Sequence, residues 1–172
     1  AAWGRRSSRS FERPAMSDYG VPSELDGALD WVWADVRLER CRNYWVATVD
    51  ERNRPHATPV WGLWDSRAQR FWFSCSPQSL KARNLARNPH VVVAADDSVE
   101  VVSLEGRARA VPGGDRRVAE RYAAKYEPDL EKAKEMVDFV LSHAMFEVEP
   151  MKAIGIIERE DEFAVRATRW VW

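Results

Sequence analysis

The sequence predicts a mainly β, α+β protein in which six or seven antiparallel strands form a small closed barrel with helices around it. Short segments rich in β-branched and aromatic residues recur along the chain, and this composition is typical of strands that are buried on one face. Turn-forming runs such as DERN separate neighbouring segments by too few residues for a crossover, so these strands must be antiparallel. A closed barrel is expected because it leaves few strand edges unpaired.

The expected elements follow the chain in order. A first helix is predicted over residues 22–40, because Ser23 and Asp26 form a weak capping box and apolar residues follow at helical spacing. Three more helices are predicted over residues 79–88, 115–126 and 128–140, the second of them capped by Asp115. Strands are predicted over residues 44–49, 55–64, 70–75, 90–95, 100–111, 144–148 and 153–157, followed by an aromatic tail over residues 168–172.

The composition is that of one globular domain. The 172 residues carry 26 basic and 27 acidic side chains, so no net field attracts nucleic acid or an anionic membrane. No apolar run approaches the roughly 20 residues of a membrane-spanning helix. Residues 1–17 are rich in Arg and Ser and are predicted to be a disordered leader, with a targeting peptide or a start at Met16 as alternatives. Residues 18–172 are predicted to form the domain.

Residue spacing argues against several reaction classes. Cys41 and Cys75 are far apart and the three histidines form no ligand pair, so no metal site is expected. Both cysteines are interpreted as reduced thiols of a cytoplasmic protein. The chain lacks the motifs of a serine hydrolase, a zinc peptidase or a Rossmann fold. Gly113 and Gly114 precede a helix, but Asp115 would repel a phosphate there. No catalytic acid, base or nucleophile is therefore predicted.

The residues after the third predicted strand suit an anionic ligand. Lys81 and Arg83 lie within the first turns of the helix predicted at residues 79–88, where cations oppose the helix dipole. Cations are tolerated best at such a position when an anion lies between them and the backbone N–H groups. The alternative is a solvated basic helix without a ligand.

Five short motifs occur along the chain: YWVATV at residues 44–49, RPHATPVW at 54–61, KARNL at 81–85, VVV at 91–93 and TRW at 168–170. In this order they resemble the pyridoxamine 5'-phosphate oxidase-like family of FMN-binding split β-barrels. In detail the sequence is similar to the branch of that family, found chiefly in actinobacteria, that uses the deazaflavin coenzyme F420 in place of FMN. The first hairpin turn lacks the glycine that many relatives have there, and we expect Asn53 to take the positive φ instead.

The resemblance implies a split β-barrel homodimer with two cofactor sites in clefts between the barrels. The backbone of residues 59–61 would face the cofactor ring, and residues near the C-terminus would complete the site. Ser74, Lys81, Arg83 and Asn84 would surround the phosphate and tail. The complete cofactor-binding set that the resemblance implies is Arg54, Thr58, Pro59, Val60, Trp61, Ser74, Lys81, Arg83, Asn84, Arg169 and Trp170.

Elementary chemistry agrees with this assignment. An anionic cofactor tail needs several cations in one patch, and the sequence offers Arg52, Arg54, Lys81, Arg83 and Arg87. Trp61 and Trp170 would supply apolar walls for a flat ring, although either residue also suits a barrel core.

The function that the resemblance implies is hydride transfer from reduced coenzyme F420 to a small organic acceptor, such as an activated double bond, a quinone or a bilin. An FMN-dependent oxidase or reductase of the same fold is the first alternative. A second is a module that binds a cofactor or haem without turnover, and a third is a structural dimer whose basic helix binds a protein partner. Neither nucleic acid nor a membrane is an expected partner.

Two regions have an open role. Residues 127–143 carry no cofactor motif, and they either cover the substrate mouth or pack outside the barrel. Residues 91–93 and 99–102 are apolar and are candidates for an exposed surface through which two chains dimerise.

Overall fold

Seven strands, four helices and one short helical turn make up the described part of the chain, residues 10–16 and 27–172, in the computed structural model. The strands are β1 (Asn43–Val49), β2 (Pro55–Asp65), β3 (Arg70–Cys75), β4 (His90–Ala95), β5 (Glu100–Val111), β6 (Ala144–Ile157) and β7 (Thr168–Val171). The helices are α1 (Trp31–Arg40), α2 (Leu80–Arg87), α3 (Arg116–Tyr126), α4 (Leu130–Leu141) and the short α5 (Phe163–Arg166).

Six of the strands close into an antiparallel barrel. Their order is β3-β2-β1-β4-β5-β6, and β3 pairs with β6 to close the barrel. β7 adds a seventh strand at β6. The predicted fold class, a mainly β split barrel with peripheral helices, is therefore confirmed.

β2 changes its partner part-way along its length. It pairs with β1 as far as Trp61, which lies opposite Asn43. From Gly62, opposite Phe73, it pairs with β3 instead. β2 therefore changes its partner strand between Trp61 and Gly62, and side chains of α3 form hydrogen bonds to Gly62 at this point.

β6 is one continuous strand of 14 residues, so the prediction of two strands over residues 144–148 and 153–157 is wrong. Its first half pairs with β3, its second half pairs with β7, and β5 follows it along both halves. Gly106 lies opposite Pro150, and Met151 is the extra residue of a β-bulge. A proline ends most central strands, but a bulge accepts one, so the strand continues.

The first helix starts later than predicted. α1 begins at Trp31, and residues 27–30 are not helical, whereas residues 22–26 of the predicted helix lie outside the described residues. The Leu29 N–H donates a hydrogen bond to Thr168 Oγ1 at 2.7 Å. This bond to β7 holds the chain in a non-helical path before α1.

Two hydrophobic clusters lie on opposite sides of the β2–β3 sheet. Phe71 and Phe73 point into the barrel, and Trp72 between them points outward, because side chains alternate along a strand. The outer cluster joins Trp72 to residues of α3 and α4 such as Ala119 and Val137. Burial of each large apolar side chain in such a cluster contributes about 1.5–3 kcal/mol to stability. The α3–α4 pair, which includes most of residues 127–143, therefore packs outside the barrel.

Several of the nine tryptophans form an aromatic cluster against α1. The ring of Trp31 lies between 5.0 and 6.1 Å from the ring centroids of Phe11, Trp64, Trp170 and Trp172. Most of these contacts are edge-to-face, which aromatic quadrupoles favour. The cluster fastens α1 and β7 to the same side of the barrel.

Residues 10–16 of the predicted leader lie beside β7, and Phe11 belongs to this aromatic cluster. Glu12 exchanges two backbone hydrogen bonds with Val171, at 2.7 and 2.9 Å, and Met16 is buried. Residues 1–9 and 17 of the predicted leader lie outside the described residues. Within the described ranges, every helix is too short or too polar to cross a membrane.

Candidate cofactor site

A cleft lies between β2 and α4 on the outside of the barrel. Its volume of about 500 Å³ is within the ~300–1,000 Å³ range of small-molecule pockets, and its walls are mostly apolar, as in such pockets. The residues that line it are Trp61, Ser74, Tyr122, Lys132, Glu135, Met136, Phe139 and Val140.

Trp61 supplies the flat wall of this cleft. Its side chain is 41% exposed, and its indole stacks on the ring of Tyr126 with centroids 4.7 Å apart and planes 6° apart. The guanidinium of Arg42 lies 5.4 Å from the indole centroid and makes a cation–π contact. A ring held by these neighbours presents a fixed apolar surface to a planar ligand.

Two side chains of α3 bind the peptide groups of Gly62, directly after Trp61. Tyr126 Oη accepts a hydrogen bond from the Gly62 N–H at 2.8 Å and donates one to the Arg42 carbonyl oxygen at 2.7 Å. Lys125 Nζ donates to the Gly62 carbonyl oxygen at 3.0 Å and to Tyr44 Oη at 2.7 Å. These side chains satisfy backbone groups at the point where β2 changes its partner strand.

Burial governs the protonation of this cluster. Burial lowers the pKa of Lys125 to about 8 and raises the pKa of Tyr126 to about 12. Burial also raises the pKa of Tyr44. At neutral pH both tyrosines therefore keep their protons, and Lys125 is a cation whose charge is easily lost.

Lys81 is the available cation at the start of α2. Ser79 caps this helix by accepting a hydrogen bond from the Ala82 N–H at 3.3 Å, and Arg83 donates to the Gln78 carbonyl oxygen at 2.9 Å. Lys81 is half-buried and makes no hydrogen bond or ion pair with the residues that the structure describes. The Lys81 ammonium group is therefore available to bind an anion beside the first turn of α2.

Asn84 lies inside the molecule. Its side chain is 2% exposed, and its Nδ2 donates to Thr48 Oγ1 at 3.0 Å. This buried bond fastens α2 to β1 and thereby fixes the position of Lys81.

The first hairpin turn confirms the prediction for Asn53, which has a φ of 59°. The Arg54 guanidinium forms an ion pair with the Asp50 carboxylate, with nitrogen and oxygen 2.7 Å apart. This guanidinium holds the pKa of the Asp50 carboxyl well below its usual range. Arg87 pairs with Glu51 at 2.9 Å. Two members of the predicted basic patch are therefore already bound to acids of the turn.

The structure brings together two of the predicted site residues, Trp61 and Ser74, in one cleft. Along β2, Val60 points into the barrel core, whereas Thr58 is half-buried and Pro59 is exposed. The role of these residues in cofactor binding stays a prediction.

Arg169 and Trp170 lie away from the cleft within one chain. They belong to β7, which pairs with the second half of β6, whereas Ser74 on β3 pairs with the first half. Trp170 has no exposed surface and packs against Trp31. Arg169 donates to the Ala15 carbonyl oxygen at 2.8 Å. The structure therefore places Trp170 in the core of its own chain.

The sequence patterns missed the part of the cleft that α3 and α4 supply. Tyr122 and Tyr126 are predicted only as an apolar helix face, and Met136 and Phe139 fall in a region without an assigned role. Lys125 is the sequence feature that could have indicated this part of the cleft. A cation next to a largely apolar helix face requires polar partners nearby.

Two of the histidines contact groups of the protein. His56 Nε2 lies 3.1 Å from a carboxylate oxygen of Asp50, and His143 Nδ1 lies 2.7 Å from the Phe139 carbonyl oxygen. In residues 10–16 and 27–172, no group of three His, Cys, Asp or Glu side chains is arranged to hold a metal ion.

The closed six-stranded barrel, the additional strand at β6 and the outer helices together define the split β-barrel class. A family model described as Pyridoxamine 5'-phosphate oxidase matches residues 34–151. This match spans more than half of the chain, and the protein belongs to that family. No protein of curated function matches the sequence.

Solved structures of other proteins share the fold. A conserved hypothetical protein from Mycobacterium tuberculosis is 24% identical with a TM-score of 0.64, over 79% of this chain and 89% of that chain. A protein named F420 reductase is 22% identical with a TM-score of 0.53, over 69% of this chain and 94% of that chain. HutZ, a haem storage protein from Vibrio cholerae, is 18% identical with a TM-score of 0.57, over 72% of this chain and 90% of that chain. At these identities the similarity shows the fold alone.

Proposed function

We propose that the protein is an oxidoreductase that transfers a hydride from reduced coenzyme F420 to a small organic acceptor. The observation that carries the proposal is the cleft in which the exposed indole of Trp61, backed by Tyr126, meets Ser74. α2 follows β3 directly and carries the unengaged Lys81 near its start. A flat apolar surface together with an available cation is what a ring with an anionic tail requires.

The residues present fit a deazaflavin. When bound, the coenzyme supplies a two-electron hydride carrier, and the protein contributes binding and orientation. The backbone of residues 59–61 would face the ring, and Lys81 and Arg83 would bind the phosphate and the carboxylates of the tail. Asn84 would act through its bond to Thr48, which holds α2 in place.

A second copy of the chain is expected to complete the site. Trp45 and Val92 lie on the paired strands β1 and β4 and are 44% and 37% exposed. An exposed apolar face of this kind is typical of a homodimer interface. In the two segments predicted for dimerisation, Val92 and Val99 are exposed, whereas Val91, Val93 and Val102 are buried.

The proposed location is the cytoplasm. Cys41 and Cys75 are free thiols and both are half-buried, which fits a protein of a reducing compartment.

A turnover assay tests the proposed function. Purified protein is mixed with reduced coenzyme F420 and a panel of enones, quinones and bilins, and reoxidation of the coenzyme is followed by absorbance. We expect saturable turnover with at least one acceptor. Trp61→Ala should lose most of it, whereas Val32→Ala, which changes an exposed side chain on α1, should not. A complete absence of turnover with every acceptor contradicts the proposal, and turnover with reduced FMN alone supports the flavin alternative.

A further inference from the structure

Lys125 is a half-buried cation that belongs to a network of hydrogen bonds and does not itself line the cleft. Its Nζ donates to the Gly62 carbonyl oxygen at 3.0 Å and to Tyr44 Oη at 2.7 Å. Tyr44 Oη donates in turn to the Leu38 carbonyl oxygen. The ammonium group also lies 4.7 and 5.3 Å from the ring centroids of Tyr44 and Tyr126. A partly buried cation with perturbed protonation is typical of a functional site.

The Tyr126 hydroxyl has one proton and two carbonyl oxygens within reach. Its Oη lies 2.7 Å from the Arg42 carbonyl oxygen and 2.8 Å from the Gly62 carbonyl oxygen. A hydroxyl has a single O–H donor, so the other carbonyl oxygen needs a different donor. Lys125 is that donor for Gly62, and the Tyr126 proton is left for Arg42.

Arg42 belongs to the surroundings of the Trp61 indole. Its guanidinium lies 5.4 Å from the Trp61 centroid and 5.5 Å from the Tyr126 centroid. Trp61 stacks on Tyr126 and lines the cleft. Tyr126 therefore contacts Trp61 through its ring and Arg42 through its hydroxyl. If the hydroxyl turned to Gly62, the hydrogen bond that fastens Arg42 to this stacked pair would be lost.

We propose that Lys125 is a positioning residue for the cofactor ring and that ring binding depends on its charge. The ammonium group occupies the Gly62 oxygen and thereby commits the Tyr126 hydroxyl to Arg42. In this arrangement the exposed Trp61 indole is preorganised for a planar ligand. Loss of the ammonium proton weakens the bond to Gly62, because a charged donor bonds roughly twice as strongly as a neutral one. This inference rests on the proposed function, since it concerns the regulation of the same site.

The surroundings of Lys125 set the pH range of the effect. Burial lowers the pKa of Lys125 to about 8, so ring binding should weaken as pH rises through that value. Burial raises the pKa of Tyr126 to about 12 and also raises that of Tyr44, so neither hydroxyl loses its proton near pH 8. The titratable and charged groups that face Lys125 are Glu39 on α1, Cys41 and Arg42 before β1, Tyr44 on β1 and Tyr126 on α3.

The surroundings of Trp61 can be followed without any ligand. The full chain is labelled with fluorotryptophan, and the fluorine NMR signal of Trp61 is assigned by its absence in Trp61→Phe. We expect this signal to shift with a midpoint near pH 8 in the unaltered protein. It should stay constant in Lys125→Arg, because a guanidinium keeps its charge. Cys41→Ser and Lys134→Met are controls that should keep the midpoint, since Lys134 pairs with Glu131 on the surface.

Binding of coenzyme F420 is measured by quenching of tryptophan fluorescence at two pH values on either side of the Lys125 pKa. We expect the Kd to rise with pH about fivefold more in the unaltered protein than in Lys125→Arg. Lys125→Met should bind the coenzyme more weakly at both pH values and show the same small pH dependence as Lys125→Arg. The ionisation of the coenzyme is common to all variants, so the comparison between variants isolates Lys125.

The outcomes separate this inference from the proposed function. A Trp61 signal that titrates near pH 8 only with Lys125 present, in a protein that does not bind coenzyme F420, supports the positioning role and contradicts the proposed function. A Trp61 signal that does not shift, or that shifts equally in Lys125→Arg, overturns the inference. Loss of the midpoint in Cys41→Ser also overturns it, because the thiol would then be the titrating group. An equal pH dependence of the Kd in all variants has the same consequence.

Discussion

The peptide of Gly62 lies where β2 leaves one neighbour and joins another, and side chains take over part of its hydrogen bonding. Tyr126 binds its N–H and Lys125 binds its carbonyl oxygen. A Cβ at this position would collide with the ring of Phe71, so a glycine is required. The orientation of Trp61, one residue earlier, therefore depends on single contacts made by α3.

Removal of the Tyr126 hydroxyl should destabilise the fold. Tyr126→Phe keeps the ring that stacks on Trp61 but leaves the Gly62 N–H without this acceptor, which costs about 1–3 kcal/mol for a buried group. The free energy of unfolding is measured by urea denaturation. Tyr122→Phe is the control, because its hydroxyl makes no hydrogen bond to the described residues, and a loss of equal size in both variants would refute the role of Tyr126.

The acid stability of the protein should depend on Asp50. Its pKa is held below the ordinary value, so as pH falls the unfolded chain takes up a proton before the folded chain does. The stabilisation is complete above the ordinary pKa of 3.8 and is lost as pH falls below it. Asp50→Asn should be less stable than the unaltered protein at about pH 6 and should lose less stability between about pH 6 and pH 3.

Thermal unfolding at both pH values measures this difference. Glu160→Gln, an exposed change, serves as the control and should follow the unaltered protein. An Asp50→Asn variant with the same loss of Tm on acidification as the unaltered protein would show that Asp50 is not responsible.

Among the elements, α2 combines a structural and a proposed binding role in separate residues. Asn84 anchors the helix to Thr48 of β1, and Arg83 is bonded to the Gln78 carbonyl oxygen. Lys81 has no such engagement within the described ranges, so its charge is available to a ligand.

Loss of the Lys81 charge should weaken ligand binding and leave the stability of the fold unchanged. Lys81→Met should raise the Kd of coenzyme F420 about tenfold, since a charged hydrogen bond to a phosphate or carboxylate is lost, and leave Tm unaltered. Arg67→Met changes an exposed cation in the turn between β2 and β3 and should leave the Kd as it is. Isothermal titration calorimetry measures the Kd of coenzyme F420 for both variants. Equal Kd values for the two variants would show that Lys81 does not bind the coenzyme.

Most helices and strands are predicted correctly because the residues that start and end them lie within the same short segment of sequence. β3, β4 and β5 begin and end at the predicted residues, since turn residues and β-branched runs mark them. The start of α1 and the continuity of β6 depend on distant partners instead. Leu29 bonds to Thr168, and β6 passes Pro150 through a bulge that its pairing with β5 maintains.

For the whole molecule, the site follows from packing between elements that are distant in sequence. Sequence motifs point to Trp61, Ser74 and Lys81 because these lie in or beside short recognisable segments. The residues that α4 contributes to the cleft have no such motif, and only the packing of α3 and α4 on the barrel brings them to Trp61. The same reasoning explains Trp170, whose place in the aromatic cluster is set by contacts with α1.

The choice of cofactor is the central claim, and a fluorescence titration of the purified protein with coenzyme F420 and separately with FMN tests it most directly. Exposed Trp61 should be quenched when a ring binds beside it. We predict micromolar or tighter binding of coenzyme F420 and much weaker binding of FMN, on the order of tenfold or more. Tighter binding of FMN, or binding of neither compound, would contradict the claim.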